Sequence, residues 1–312
     1  MREILEDLRR WRARGDERVV VATLVAARGS APRPVGSKLA VSERGELAGS
    51  VSGGCVESEI YEEAQAALAG GEPKLLSYGI SDEQAWSVGL PCGGEIDVFV
   101  ERTSWEELTP VLGAIESGDR FTRTTVLDDE GREFVEEYGP PPLLLIFGAV
   151  DTAEALCKAA KQLGWRTIVA DARTKFATAE RIPSADELLV EWPDQVLAHT
   201  EPDAWTAVVV LTHEDRFDIP ALAGALRSDA FYVGALGARK NQERRRERLL
   251  EEGLSEEEID RIAGPVGLDI GAETPAETAV SILAEILAVR AGRPGGSLKQ
   301  SKGRIHAEPM TR

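Results

Sequence analysis

Between residues 143 and 290 short apolar runs alternate with amphipathic segments about ten residues long, and this rhythm restricts the fold more than any other feature. LLLIFGA, WRTIVAD, DELLVEW, WTAVVVLTH and AFYVGALG read as strands. TAEALCKAAKQLG, DIPALAGALRS and KNQERRRERLLEEG read as helices. Parallel strands need crossover connections and are covered on both faces, so each appears as a continuous apolar run. The segment therefore predicts a Rossmann-like, doubly wound parallel sheet. A closing helix in TPAETAVSILAEILAVRAG (274–292) has its own start signal: Thr274 and Glu277 form a capping box, and Pro275 takes the first helical position.

The first half has a different rhythm. RVVVATLVAA (18–27) is a continuous apolar run, KLAVS and ELAGSVS flank ERGE as a hairpin, and KLLSYG and EIDVFVE add strands, the last alternating through Ile96, Val98 and Val100. Ile4, Leu5, Leu8 and Trp11 mark one face of a helix stopped near Gly15. Val56, Ile60 and Ala64 mark one face of another, placed at 55–69 and ended by Gly70-Gly71. Residues 104–140 hold a helix, a strand and a charged stretch, and GPPP at 139–142 breaks the chain. The prediction is an α/β protein: a strand-rich N-terminal α/β domain over 1–138, a linker over 139–142 and the parallel-sheet domain over 143–291. The tail over 292–312 has too little to bury and is expected to be disordered.

The chain carries 36 basic and 54 acidic residues, a net charge of −18, which argues against nucleic-acid and anionic-membrane partners. Its longest apolar runs fall far short of a bilayer span, and its charged N-terminal segment lacks a signal-peptide core, so the expected location is the cytoplasm. Three cysteines without a C-x-x-C spacing argue against a disulfide framework and a closed structural zinc site.

Two of those cysteines sit beside paired glycines. In GSVSGGCVES, Gly53-Gly54-Cys55 open the 55–69 helix. A thiol at a helix amino end faces unpaired N–H groups and the positive end of the dipole, which favour thiolate and suit a phosphate. In LPCGGE, Cys92 is followed by Gly93-Gly94 and opens a strand. Two such thiols facing one pocket is the functional reading, and small buried hydrophobes beside turns is the plain one. Cys157, mid-helix beside Leu156 and Ala160, reads as core.

In the second half, IFGAVDTAEAL sits where a dinucleotide fingerprint would be. Gly148 and Ala153 hold its outer positions, but Val150 replaces the middle glycine that lets a pyrophosphate approach. Asp171 ends the next strand, where a ribose-binding acid would sit. In VLTHEDRFD, His213, Glu214, Asp215 and Asp218 lie at the carboxyl edge of the sheet and suit a divalent cation; the plain reading is a polar loop with Asp218 as a helix cap. In VGALGARK, Gly234 and Gly237 surround a sharp turn, and Arg239 and Lys240 suit an anion; the plain reading is a turn with solvated charges. GPVGLDIGAETP (264–275) is a glycine-rich loop, and ERRRERLLEEGLSEEEIDR reads as a solvated helical face.

In order and spacing, GSAPRPVGSKLAV, GSVSGGCVE, LPCGG, IFGAVDTA, VADAR, LTHEDRFD, YVGALGARK and GPVGLDIGAETPAETAVSILAEI resemble the XdhC/CoxI family of xanthine dehydrogenase accessory factors, over most of residues 18 to 290. The resemblance implies a cytoplasmic homodimer that binds molybdenum cofactor (molybdopterin) and delivers it to a molybdenum hydroxylase apoprotein such as xanthine dehydrogenase or carbon monoxide dehydrogenase. It also implies exchange of an oxo for a sulfido ligand by a cysteine desulfurase partner, and a non-catalytic carrier rather than an enzyme. The cofactor-binding residues it implies are Ser52, Gly53, Gly54, Cys55, Glu57, Cys92, Gly93 and Gly94 in the first domain. In the second they are Gly148, Asp171, Arg173, His213, Gly234, Gly237, Arg239 and Lys240. Many relatives read G-A-G-H where this chain reads Gly148-Ala149-Val150-Asp151. From the residues alone, an NAD(P)-dependent oxidoreductase and a nucleotide-binding adaptor using GALGARK stay open.

Overall fold

The apolar run from Val19 to Val25 is the middle of an antiparallel sheet and is buried on both faces. A computed structural model describes residues 1–29, 31, 33–79 and 94–301. Met1–Pro140 form one compact unit and Pro141–Ser297 another. Cys92 and Gly93, and residues 302–312 of the tail, lie outside the described residues.

The N-terminal unit comprises α1 (Leu5–Ala13), β1 (Arg18–Arg28), β2 (Lys38–Ser42), β3 (Leu47–Gly49), α2 (Glu57–Leu68), β4 (Lys74–Tyr78), β5 (Glu95–Ser104), α3 (Trp105–Ser117), β6 (Phe121–Val126) and β7 (Glu133–Tyr138). Its main sheet has the order β3-β2-β1-β5-β4, with every neighbouring pair antiparallel. The alternation along β5 aims Ile96, Val98 and Val100 at Val56, Ile60 and Ala64 of the α2 region. Burying Ile60 fully contributes about 1.5–3 kcal/mol. On the other face, Leu8 and Trp11 of α1 and Leu108 of α3 pack on Val19 and Val21. Gly118, left-handed at φ 81°, ends α3.

The charged stretch of residues 104–140 is a strand. Glu133–Tyr138 pairs with β6 as a two-stranded hairpin, because Phe134, buried between the exposed Glu133 and Val135, packs on Phe99, Val25 and Leu127. Two ion pairs pin this hairpin to the main sheet: Lys38 Nζ to Glu136 Oε1 at 2.8 Å and Arg123 Nη2 to Glu101 Oε1 at 2.8 Å.

The C-terminal unit comprises β8 (Leu143–Phe147), α4 (Asp151–Gln162), β9 (Arg166–Ala170), β10 (Glu187–Leu189), α5 (Pro193–Thr200), β11 (Thr206–Val210), α6 (Asp215–Arg227), β12 (Tyr232–Ala235), α7 (Arg239–Glu251), α8 (Glu256–Asp260), β13 (Ile262–Ala263) and α9 (Pro275–Arg290). The strands are parallel in the order β10-β9-β8-β11-β12-β13. The winding reverses between β8 and β11, and the loops that follow those two strands flank the crevice where such sheets bind ligands. Ala153, Leu156, Cys157 and Ile282 fill one face of the sheet, and Val196, Leu222 and Leu249 the other. Cys157 is fully buried, and burial pushes its thiol up to about 11. The α9 capping box forms, with Thr274 N donating to Glu277 at 2.8 Å and Glu277 N to Thr274 at 3.2 Å. Among the described residues no helix is long and apolar enough to cross a membrane.

Candidate functional site

The GSVSGGCVE segment is a turn built around a single carboxylate. Gly53 and Gly54 adopt φ of 76° and 115°, and a Cβ at Gly54 would meet nothing within 4 Å. The chain thereby doubles back so that Glu57, the first residue of α2, reaches its own preceding loop. Glu57 Oε1 accepts from Ser50 Oγ at 2.6 Å, Val51 N at 3.2 Å and Ser52 N at 2.9 Å. Its Oε2 accepts from Gly54 N at 2.8 Å, Val56 N at 3.3 Å and the Ser52 hydroxyl. Gly53 N donates to Ser50 Oγ at 2.8 Å and Cys55 N to Ser52 Oγ at 2.9 Å. Every backbone N–H from Val51 to Val56 is thus engaged within the turn. Burial acts to raise the Glu57 pKa, but the bonds from Ser50 and Ser52 outweigh it and bring the carboxyl down to about 2.

This corrects two expectations. The helix begins at Glu57, not at Cys55, because Val56 is its N-cap. The N–H groups ahead of it are not vacant for a phosphate, and the first turn carries Glu57 and Glu59, which would repel one. Cys55 is a free, half-buried cysteine that leans on the apolar cluster of Val56 and Ile60. Of Cys92, Gly93 and Gly94 only Gly94, which is buried, is among the described residues.

At the carboxyl edge of the parallel sheet the remaining candidates converge on loops that are also tied internally. Gly148 follows β8 with φ 114°, and a Cβ there would lie 2.8 Å from the Thr212 methyl, so this glycine lets the loops after β8 and β11 touch. Asp171 Oδ2 accepts from Ala149 N at 3.0 Å. Arg173 grips the same carboxylate through Nε at 2.9 Å and Nη2 at 2.7 Å, and reaches Glu214 through Nη1 at 2.9 Å. Burial works to raise the Asp171 pKa, yet Arg173 and the Ala149 amide hold it below the usual carboxylate range. The expectation of a ribose-binding Asp171 is corrected on this geometry: both carboxylate oxygens are engaged within the protein, and Val150 stands where the fingerprint calls for glycine. The NAD(P) reading has no support.

Asp218 is not a helix cap. The helix starts at Asp215, and Asp218 lies inside it, fully buried. Its Oδ2 accepts from Arg245 Nε at 2.9 Å, and Thr212 donates its hydroxyl to the other oxygen. Arg245 also donates to Leu236 O at 2.6 Å and to Thr212 O at 3.0 Å, tying the loop after β12 to the loop after β11. The run expected to form a solvated helical face therefore contains a buried guanidinium. The signal was present: Gln242, Arg245 and Leu249 lie three and four residues apart on the face that turns inward. A divalent-cation site at His213–Asp218 is corrected too, since Glu214, Asp215 and Asp218 meet Arg173, Arg244 and Arg245, and His213 is exposed on the loop between β11 and α6. Among the described residues no group of three or more His, Cys, Asp or Glu side chains suits a metal ion.

Gly234 lies within β12, where a Cβ would clash with Val266 at 2.6 Å, and Gly237, at φ 132°, makes the turn toward α7. Arg239 and Lys240 are exposed in the first turn of α7, whose N-cap, Ala238, offers no side chain to the helix amides. The structure thus brings Gly148, Asp171, Arg173 and Glu214 together, while Arg239 and Lys240 take no part in that cluster.

Residues 144–286 match the model of the XdhC Rossmann domain, and residues 11–79 match that of the XdhC and CoxI family. A curated relative in Escherichia coli, the molybdenum cofactor insertion chaperone PaoD, is 31% identical over 87% of this chain and 83% of its own length. A Bacillus subtilis protein named as a probable component of xanthine dehydrogenase is 28% identical, over 88% of this chain and 94% of its own. A crystal structure from Bacillus halodurans, described as a xanthine dehydrogenase, superposes with a TM-score of 0.69 at 26% identity, covering 96% of this chain and 98% of that one.

Proposed function

Because the chain belongs to the XdhC and CoxI family, we propose that it binds molybdenum cofactor as cargo and hands it to a molybdenum hydroxylase. The observation that carries this reading is the Ser50–Glu57 turn, which holds the half-buried Cys55 on a fully hydrogen-bonded loop next to the open space at Gly54. A thiol is a suitable soft ligand for molybdenum or for sulfur bound to it. The cofactor's phosphate does not fit in the turn ahead of α2, where the amides of Val51 to Val56 are engaged and Glu57 and Glu59 stand close by. In this reading Glu57 positions the loop that presents Cys55, and the phosphate is bound elsewhere. The Escherichia coli relative named as an insertion chaperone supports the carrier role. Sulfuration by a cysteine desulfurase partner and action as a cytoplasmic homodimer belong to the same proposal.

The test is retention. Protein mixed with molybdenum cofactor is passed through gel filtration and its molybdenum measured. Wild type retains metal, Cys55→Ala retains about tenfold less if a coordinate bond is lost, and Cys92→Ala reports on the second motif. Unchanged retention in both variants would remove the thiols from the mechanism.

A further inference from the structure

In the N-terminal unit a groove of about 830 Å³ opens on the sheet face opposite α2. Residues 123–129 line it without a break. Successive residues of a strand point to opposite faces, so an unbroken lining means that the backbone edge of β6 borders the groove. Leu127 N donates to Arg132 O at 2.7 Å, in register with the β6–β7 ladder. In such a ladder alternate residues bond to the same neighbour. Phe121, Arg123 and Thr125 therefore face β7, and the N–H and C=O groups of Thr122, Thr124 and Val126 point away from it. Among the described residues β6 has no second neighbour. Val126 stands at this edge with 56% of its surface exposed.

The charge around the groove is net negative, with Arg123 set against Glu72, Glu101, Glu107, Asp128 and Asp129. Asp128 is paired with Arg132, and Glu101 with Arg123. Glu72, Glu107 and Asp129 also line it. The Lys38–Glu136 and Arg123–Glu101 pairs already hold the hairpin in place, so little ordering remains to oppose binding.

We propose that the β6 edge takes up an extended, lysine- or arginine-bearing segment of a partner protein as an added strand. Main-chain hydrogen bonds to Thr122, Thr124 and Val126 supply the pairing, and the carboxylates select positive side chains. This inference does not depend on the cofactor reading.

The probe is a dye-labelled peptide of about nine alternating lysine and valine residues, titrated against the full chain by fluorescence anisotropy. It should bind saturably, while the glutamate–valine counterpart does not. Methylating alternate amide nitrogens of the lysine–valine peptide should weaken binding about tenfold or more, and Thr124→Pro, which removes an N–H that β7 does not use, should act likewise. The methylated peptide tests the same bond without altering the protein. Equal binding by the methylated peptide or by the glutamate peptide overturns the proposal. So does a dimer, seen by sedimentation, that excludes the lysine peptide and that Thr124→Pro dissociates: the edge is then covered by a second copy of the chain.

Discussion

In the turn before α2 one carboxylate, Glu57, is held by neutral donors alone: two serine hydroxyls and the amides of Val51, Ser52, Gly54 and Val56. At the carboxyl edge of the parallel sheet each buried carboxylate also meets a guanidinium, Asp171 with Arg173 and Asp218 with Arg245. Both regions look, in sequence, like glycine-rich turns prepared for a foreign anion, and in both the chain supplies the anion itself. The difference lies in what must be undone to open them. The first turn depends on amides whose net value in water is modest, and the second on charge pairs shielded from water.

The largest test of this contrast is Arg245→Met. It leaves Asp218 charged and buried without its partner and should destabilise the C-terminal unit by about 3–5 kcal/mol in urea unfolding. Adding Asp218→Leu to that variant should recover most of the loss. A single variant no less stable than the double would end the claim that the pair is desolvated. Next comes a matched pair of glycines with nearly equal backbone angles, φ 115° at Gly54 and 114° at Gly148. Gly54→Ala enters open space and should cost about 1 kcal/mol of backbone strain. Gly148→Ala places a methyl 2.8 Å from Thr212 and should cost about 2–3 kcal/mol. Equal midpoints for the two would show that the contact between the β8 and β11 loops is loose.

A last test, read in pH rather than in a midpoint, is the acid titration of Glu57. Its folded pKa of about 2 lies below the ordinary 4.5, so its stabilisation is complete above about pH 4.5 and lost as pH falls toward 2. With allowance for the solvent that reaches this carboxylate, the contribution is about 2 kcal/mol. Glu57→Gln should flatten that part of the stability curve, and an unchanged curve would mean that the turn does not hold the ionised form.

Much of the fold was legible from period alone. Continuous apolar runs spaced by helix-length segments specify a parallel sheet, and Thr274, Pro275 and Glu277 specify a helix start, because these signals act within a few residues of the chain. β7 was hidden, since only Phe134 and Val135 interrupt its charges and its pairing with β6 is what makes it a strand. The candidate site was legible in residue identity but not in role. Gly148, Asp171 and Arg173 do gather at one sheet edge, yet the sequence presents Asp171 as a free acid and Arg245 as one arginine in a solvated run.

What the sequence determined by itself was where most of the backbone is helical or extended, where it turns through glycine, and which apolar faces avoid water. What only the tertiary structure decided was which charge meets which. Ala149 reaches Asp171 across 22 residues and Arg245 reaches Asp218 across 27. Local periodicity sets the direction of a side chain. The partner of a buried charge is set by which other group the fold brings within hydrogen-bond reach once water is excluded, and that distance is not written in any window of the chain.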